Sequence, residues 1–173
     1  MIIQILKHSI FFCAKSILLF LFVTMTVTQV VEISKIVNPI IKVNQIETTN
    51  NIKENLAALG APKHEIQNLS KSIKLASDAT NINDRLILAL MFTESGFKRW
   101  AISPKGYKGL MQTTIASYDY SDVDTLMGAR VLQEKLRITK GDLYKALALY
   151  KGGDNPEAWG QAKKVLEMYT AMM

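Results

Sequence analysis

Residues 86–97 read LILALMFTESGF. In this stretch an almost wholly apolar run ends abruptly at the carboxylate of Glu94. Burial beside such a run disfavours the charged form of a carboxyl group, so we expect the pKa of Glu94 to be raised. If the run is a helix, the negative end of its dipole lies at Glu94 and acts in the same direction. A carboxyl that keeps its proton near neutral pH is what a general acid requires. A helix-end glutamate that simply turns to solvent also fits the stretch.

Cap signals place this run in a helix over residues 84–95. Residues 81–84 read NIND and offer N-cap side chains, while Gly96 suits the position just after the last turn. Upstream, apolar residues recur at three- and four-residue spacing from Ile66 to Ala76, which predicts a helix there as well. The pattern is therefore helical up to the end of the apolar run.

Loop residues and helix signals alternate downstream of the run. Proline and glycine residues make 98–110 a predicted loop. Asp122 and Asp142 are candidate N-caps, Pro156 suits a first helical turn, and Val123 opens an apolar side after Asp122. The predicted helices cover residues 110–118, 122–138, 142–150 and 156–171. No strand signal competes with them, so the predicted fold class is mainly α.

Composition excludes several kinds of site. The chain has 173 residues, of which 49% are hydrophobic, and its net charge is +6. A basic surface suits a polyanionic partner, but the sequence has no dense Lys/Arg block interleaved with aromatics, which argues against nucleic acid. Cys13, His8 and His64 do not form a ligand cluster, so no metal and no cofactor is predicted.

The N-terminal segment, residues 1–32, is predicted to be a signal anchor. Residues 16–31 carry no charge, Lys7 and Lys15 precede them, and Glu32 follows. A spanning helix needs about 20 apolar residues, and the charge asymmetry places the N-terminus in the cytoplasm. We therefore expect a membrane helix in the cytoplasmic membrane, with the rest of the chain outside the cytoplasm. A signal peptide that is cleaved to release a secreted protein is the alternative.

Two further segments follow the anchor. Residues 33–62 are polar and low in aromatics, which predicts a linker or stalk with a short helix around residues 51–59. Residues 63–173 are the predicted domain, and their number fits one hydrophobic core.

Four short motifs follow one another in the predicted domain. They read ESGF at 94–97, AISPKG at 101–106, GLMQ at 109–112 and ALALYKGG at 146–153. Together they resemble the lytic transglycosylase (SLT) domain of the lysozyme-like superfamily, whose pattern is Glu-Ser-Gly-Phe, Ser-Pro-x-Gly, Gly-Leu-Met-Gln and Ala-x-x-Tyr-Asn-Ala-Gly. The resemblance covers roughly residues 66–165. Each motif alone is weak, but four in the same order with compatible spacing are specific.

The resemblance implies roles for individual residues. Glu94 matches the family's sole catalytic acid/base, and Tyr150 matches a tyrosine that faces this carboxyl. The residues that match substrate-contacting positions are Ser103, Gln112, Thr114, Leu149 and Tyr150. Taken singly, Ser103 could be an ordinary turn residue and Tyr150 a core aromatic.

The chain departs from the family pattern at three positions. Lys151 stands where the family has Asn, Gly152 where it has Ala, and Ile115 where Pro is usual. Lys151 could remove a structural hydrogen bond or attract anionic wall polymers.

A second carboxylate would change the chemistry. A hydrolase of the lysozyme type pairs two carboxyl groups. Asp119, Asp122 and Asp124 are the candidates for the second, although we expect Asp122 to cap a helix and the other two to face solvent.

The implied activity is cleavage of the MurNAc–GlcNAc bond of peptidoglycan with formation of 1,6-anhydro-MurNAc. Glu94 would protonate the bridging oxygen and then accept the proton of the 6-hydroxyl group. A hydrolase that uses water and a non-catalytic glycan-binding assembly subunit remain the alternatives. The expected partners are peptidoglycan glycan strands and the membrane; a secretion, pilus or phage assembly is an open question, as is cutting at chain ends or in the interior.

Overall fold

The computed structural model describes residues 29–32, 46–114 and 119–173. The chain divides into two compact units, Met1–Glu47 and Thr48–Met173. Beyond a helical turn at 29–32, the helices of the described part are α1 (residues 46–58), α2 (Ile66–Thr80), α3 (Asp84–Ser95), α4 (Ser121–Ile138), α5 (Leu143–Lys151) and α6 (Pro156–Ala171). The fold is mainly α, as predicted.

Helix α3 is the centre of the second unit. Residues 86–91 are buried on every side of the helix, as expected for a helix whose surface is apolar all round. Helices α2, α4 and α6 pack against it. The Asn83 side chain accepts the Arg85 N–H at the start of α3, and Gly96 adopts the left-handed conformation after its last residue. The predicted helix 84–95 and its cap residues are confirmed.

Helix α5 begins at its predicted cap, and α6 begins with the predicted proline in its first turn. The Asp142 side chain accepts the Lys145 N–H, and Asn155 accepts the Ala158 N–H immediately before Pro156 in the first turn of α6. These signals are local hydrogen bonds between near neighbours, so the sequence displays them directly.

The start of α4 differs from the prediction. The cap residue is Tyr120, without a side-chain bond, and the Asp122 carboxylate instead accepts the Val123 N–H at 3.0 Å. Val123 is 44% exposed. The predictions that Asp122 caps this helix and that Val123 opens its apolar side are therefore wrong.

The loop between α3 and α4 is held by backbone hydrogen bonds. Isolated bridges join Ile102 to Lys108 and Lys108 to Thr113, and the Gly109 N–H donates to the Ala101 carbonyl at 2.9 Å. Within the described residues these bridges take the place of strands. Residues 110–114 form turns and a bend rather than the start of the predicted helix 110–118, and the rest of that prediction lies outside the described residues.

The core includes residues that the sequence assigns to a linker. Ile52 and Leu56, on α1, are buried in the main apolar cluster. The compact unit therefore begins at Thr48, whereas the predicted domain begins at residue 63.

The predicted anchor at residues 1–32 lies outside the described residues except for 29–32. Over the ranges that the structure describes, no helix is both long enough and apolar enough to cross a bilayer.

Candidate active site

Glu94 lies in the last turn of α3, where the buried helix meets the C-terminal end of α5. Its side chain is 13% exposed, and its Oε1 atom lies 2.9 Å from Nζ of Lys151, whose side chain is 3% exposed. The apolar run thus carries the carboxyl group to the edge of the core, where it forms an ion pair that is almost out of contact with water.

Burial dominates the protonation of both partners. Desolvation raises the pKa of Glu94, and the charge and hydrogen bond of Lys151 oppose this rise without cancelling it. Desolvation likewise lowers the pKa of Lys151 against the attraction of Glu94. Burial therefore favours the uncharged form of each side chain. Glu94 keeps its proton to a higher pH than an ordinary glutamate, and Lys151 loses its proton at a lower pH than an ordinary lysine.

Lys151 occupies a place that neither prediction for it foresaw. Its ammonium group also donates to Oγ1 of Thr93 at 3.0 Å, one residue before Glu94. With a side chain that is 3% exposed, it is not a surface charge that could attract a wall polymer. The sequence held no sign of this pairing, because the partners belong to different helices.

Tyr150 approaches the same site from α5. Its hydroxyl group donates to the Met111 carbonyl at 2.7 Å. Burial, and then the charges of Glu94 and Asp124, raise the pKa of Tyr150 well above its usual value. The phenol therefore stays protonated, and its single proton is given to Met111 rather than to Glu94.

Asp124 is the residue whose placement departs most from expectation. It is fully buried on α4, and its Oδ2 atom accepts the Leu110 N–H at 2.5 Å. Burial raises its pKa to about 6 against the backbone hydrogen bonds of Leu110 and Met111. The prediction that Asp124 faces solvent is wrong. The spacing of the sequence could have indicated this burial. Asp124 precedes Gly128 and Leu132 by one and two helical turns, so the three residues share the buried face of α4.

The predicted substrate-contacting residues of the loop brace the backbone. Oγ of Ser103 accepts the Tyr107 N–H at 3.0 Å. Nε2 of Gln112 donates to the Ala101 and Gly109 carbonyls at 3.1 and 2.9 Å. Gln112 has a positive φ of 48°, a conformation that persists only when its surroundings hold it.

The other two predicted residues have no hydrogen bond to Glu94. Thr114 is exposed at the end of the described loop, and Leu149 is partly buried on α5, next to Tyr150. Among the described residues, the structure joins Glu94 directly to Lys151, while Ser103, Gln112 and Thr114 lie on the adjoining loop without side-chain bonds to it. Their contact with a substrate stays a prediction.

Across residues 29–32, 46–114 and 119–173, no group of three or more His, Cys, Asp or Glu residues could hold a metal ion.

The second unit is thus a helical domain with a buried carboxyl group at the end of α3 and a GLMQ loop that is held by hydrogen bonds. The transglycosylase SLT domain matches residues 71–170. The match covers more than half of the chain, and the chain therefore belongs to this family, as its motifs predict.

One solved structure similar to this chain is an inactive mutant of the lytic transglycosylase Slt from Pseudomonas aeruginosa. The two are 19% identical, the similarity covers 62% of this chain and 23% of that one, and the TM-score is 0.45. No curated protein sequence matches this chain.

Proposed function

We propose that the protein is a lytic transglycosylase that cleaves the MurNAc–GlcNAc bond of peptidoglycan, with Glu94 as its single general acid and base. The observation that carries the proposal is the Glu94 carboxyl, buried at the end of α3 and holding its proton to a raised pH. Membership of the SLT family supports the substrate class.

The proposed reaction needs one carboxyl that gives a proton and takes one back. Protonated Glu94 donates to the bridging oxygen, and the bond from this oxygen to the muramic acid C1 breaks. The substrate's own N-acetyl group stabilises the cation left at C1. Glu94, now a carboxylate, accepts the proton of the 6-hydroxyl group as that oxygen attacks C1. The proton balance closes without water, and the intramolecular attack benefits from a high effective concentration.

The environment of Asp124 favours this route over a hydrolase with two carboxylates. A retaining hydrolase places a second carboxylate about 5 Å from the first, with access to the sugar. Asp124 is fully buried and binds the Leu110 N–H, so it supports the loop instead of reaching a substrate. Hydrolysis with an activated water molecule remains the second candidate.

The predicted anchor agrees with this substrate, which lies outside the cytoplasmic membrane. We propose that residues 1–32 hold the domain on that side, on the strength of their charge asymmetry. Protection of the domain from protease added to intact spheroplasts would contradict this topology.

Replacement of Glu94 by Gln tests the catalytic role. We expect Glu94→Gln to lower the release of soluble muropeptides from peptidoglycan by about 10²- to 10⁴-fold, the usual contribution of a general acid. Binding of the full-length chain to insoluble peptidoglycan should be retained, since the amide keeps the shape of the carboxyl.

The matched control is Glu134→Gln, the same change at an exposed residue of α4 that pairs with Arg137. It should cut like the wild type. Turnover that survives in Glu94→Gln contradicts the proposal. Binding without cleavage by the wild type would instead identify a glycan-binding subunit.

A further inference from the structure

The ammonium group of Lys151 is fixed by two residues of the last turn of α3. It lies 2.9 Å from Oε1 of Glu94 and 3.0 Å from Oγ1 of Thr93. Oγ1 of Thr93 gives its own proton to the Leu90 carbonyl at 2.9 Å, so its lone pairs are available to the ammonium. Lys151 is therefore held in one place, and it holds the Glu94 carboxyl in turn.

Two helix ends meet at this pair. Glu94 lies in the last turn of α3, and Lys151 is the last residue of α5. Both C-terminal dipoles are negative, which favours the protonated form of each side chain. In the described part of the chain, Lys151 is the charged group that shifts the pKa of Glu94.

Tyr150, on α5, is the other titratable group on which Glu94 acts, and Asp124, on α4, acts on it as well. Burial and these two charges raise the pKa of the Tyr150 phenol, which stays neutral. No group on α2 or α6, within the residues described, is among the causes that shift the pKa of Glu94. The charge state of the Glu94 carboxyl therefore depends on burial and on one neighbour.

We propose that Lys151 is a positioning residue that acts through Glu94: its ammonium group orients the carboxyl and sets the upper pH limit at which Glu94 can donate a proton to a glycosidic oxygen. This inference rests on the proposed function, because only an acid catalyst has such a limit. The contact between the two side chains does not depend on it.

The lysine has opposite effects on the two halves of proton donation. Its positive charge favours the ionised carboxyl, so fewer molecules carry the proton at high pH. The same charge stabilises the carboxylate that forms when the proton leaves, in a site with little water to do so. An enzyme with Lys151 should thus work faster at low pH and lose activity at a lower pH than one without it.

The test compares three variants of the full-length chain. Lys151→Met removes the charge and keeps a long side chain, whereas Lys151→Arg keeps the charge. Lys145→Met is the matched control, because it removes the same charge from an exposed residue of the same helix. Titration by ¹³C NMR of chains labelled at the glutamate carboxyl carbons follows Glu94, identified as the signal missing from Glu94→Gln. The pH profile of kcat/KM on peptidoglycan is measured in parallel.

We expect Glu94 in Lys151→Met to titrate about 1 to 3 pH units higher than in the wild type, the usual effect of an opposite charge at this distance. The alkaline limb of the kcat/KM profile should shift to higher pH together with the titration of Glu94. The rate on the low-pH plateau should fall. Lys151→Arg and Lys145→Met should titrate like the wild type. A merely structural lysine would lower activity without moving the limb.

Each other outcome overturns part or all of the proposal. An unchanged titration of Glu94 in a folded Lys151→Met chain overturns it entirely. A shifted titration with an unmoved limb overturns the role in catalysis. If the titration of Glu94 depends on Lys151 as expected but the wild type does not cut peptidoglycan, the proposed function is wrong and the ion pair is confirmed. If Lys151→Met does not fold, Lys151→Gln carries the same test, since it also removes the charge but keeps a side chain that can hydrogen-bond to Thr93 and Glu94.

Discussion

The carboxyl groups of Glu94 and Asp124 are both buried, yet their surroundings give them different tasks. Glu94 keeps partial exposure, and its Oε1 atom lies 2.9 Å from Nζ of Lys151. Asp124 is closed off from solvent and accepts a backbone N–H of the GLMQ loop. Separate environments for two acids of similar intrinsic strength are a common means of assigning one to catalysis and the other to structure.

The raised pKa of Asp124 predicts a specific pH dependence of stability. Its pKa is about 6 in the folded chain, whereas an ordinary aspartate has a pKa of 3.8, so the folded state binds a proton more tightly than the unfolded state. The stability that Asp124 contributes is therefore fully present below pH 3.8 and is lost as the pH rises to about 6. A shift of this size corresponds to roughly 3 kcal/mol.

Asp124→Asn isolates this contribution. The amide cannot ionise, but its oxygen can still accept the Leu110 N–H. Urea unfolding of both proteins from pH 3 to 7 should show the wild type losing about 3 kcal/mol relative to the variant as the pH rises. A difference that stays constant over this range would show that Asp124 does not titrate as described.

At this scale the sequence predicts the acid but not its surroundings. Glu94 stands out because a charge at the end of an apolar run is unusual, and that signal is local. The sequence places Asp124 in solvent and gives no partner for Lys151, because their partners come from other helices and loops. Only the packing of α4 and α5 against the site makes them buried.

Helix α4 approaches the GLMQ loop so closely that Gly128 leaves no room for a side chain. A Cβ atom at Gly128 would lie 2.3 Å from Cβ of Met111 and 2.6 Å from its Cγ. Met111 is fully buried, and its carbonyl accepts the Tyr150 hydroxyl. Glycine at position 128 therefore allows α4 to pack directly against Met111 of the loop.

Two glycine-to-alanine changes compare this contact with open space. Gly128→Ala should destabilise the protein by about 1 to 3 kcal/mol, the usual cost of overpacking, and should lower activity by displacing Met111. Gly160→Ala, on α6, meets nothing within 4 Å, and should stabilise by up to about 1 kcal/mol through helix propensity. Thermal unfolding of the two variants measures both effects; similar melting temperatures would contradict the role of Gly128.

Helix ends were easier to predict than helix faces. Asn83, Asp142 and Pro156 mark real helix starts, because capping involves residues two or three positions apart. The buried face of α4 begins with Ser121, Asp124 and Thr125. Apolar periodicity does not predict this buried face, because polar side chains that are hydrogen-bonded in the core do not raise the hydropathy of the sequence.

The whole second unit uses more of the chain than the motifs indicate. The SLT match covers 71–170, but α1 contributes Ile52 and Leu56 to the core. Two apolar residues one turn apart in a polar segment are a weak signal, and their burial depends on the groove that the later helices provide. The fold class follows from the apolar run and the caps, whereas the extent of the core follows from tertiary packing.

In the reaction that we propose, this unit cuts peptidoglycan with one carboxyl and without water as the nucleophile. Digestion of purified peptidoglycan with the full-length chain, followed by mass spectrometry of the products, distinguishes this reaction from hydrolysis. We expect 1,6-anhydro-muramyl ends, each lighter by one water than a reducing end, and their loss in Glu94→Gln. Reducing ends that incorporate oxygen from labelled water would contradict the proposed reaction and identify a hydrolase.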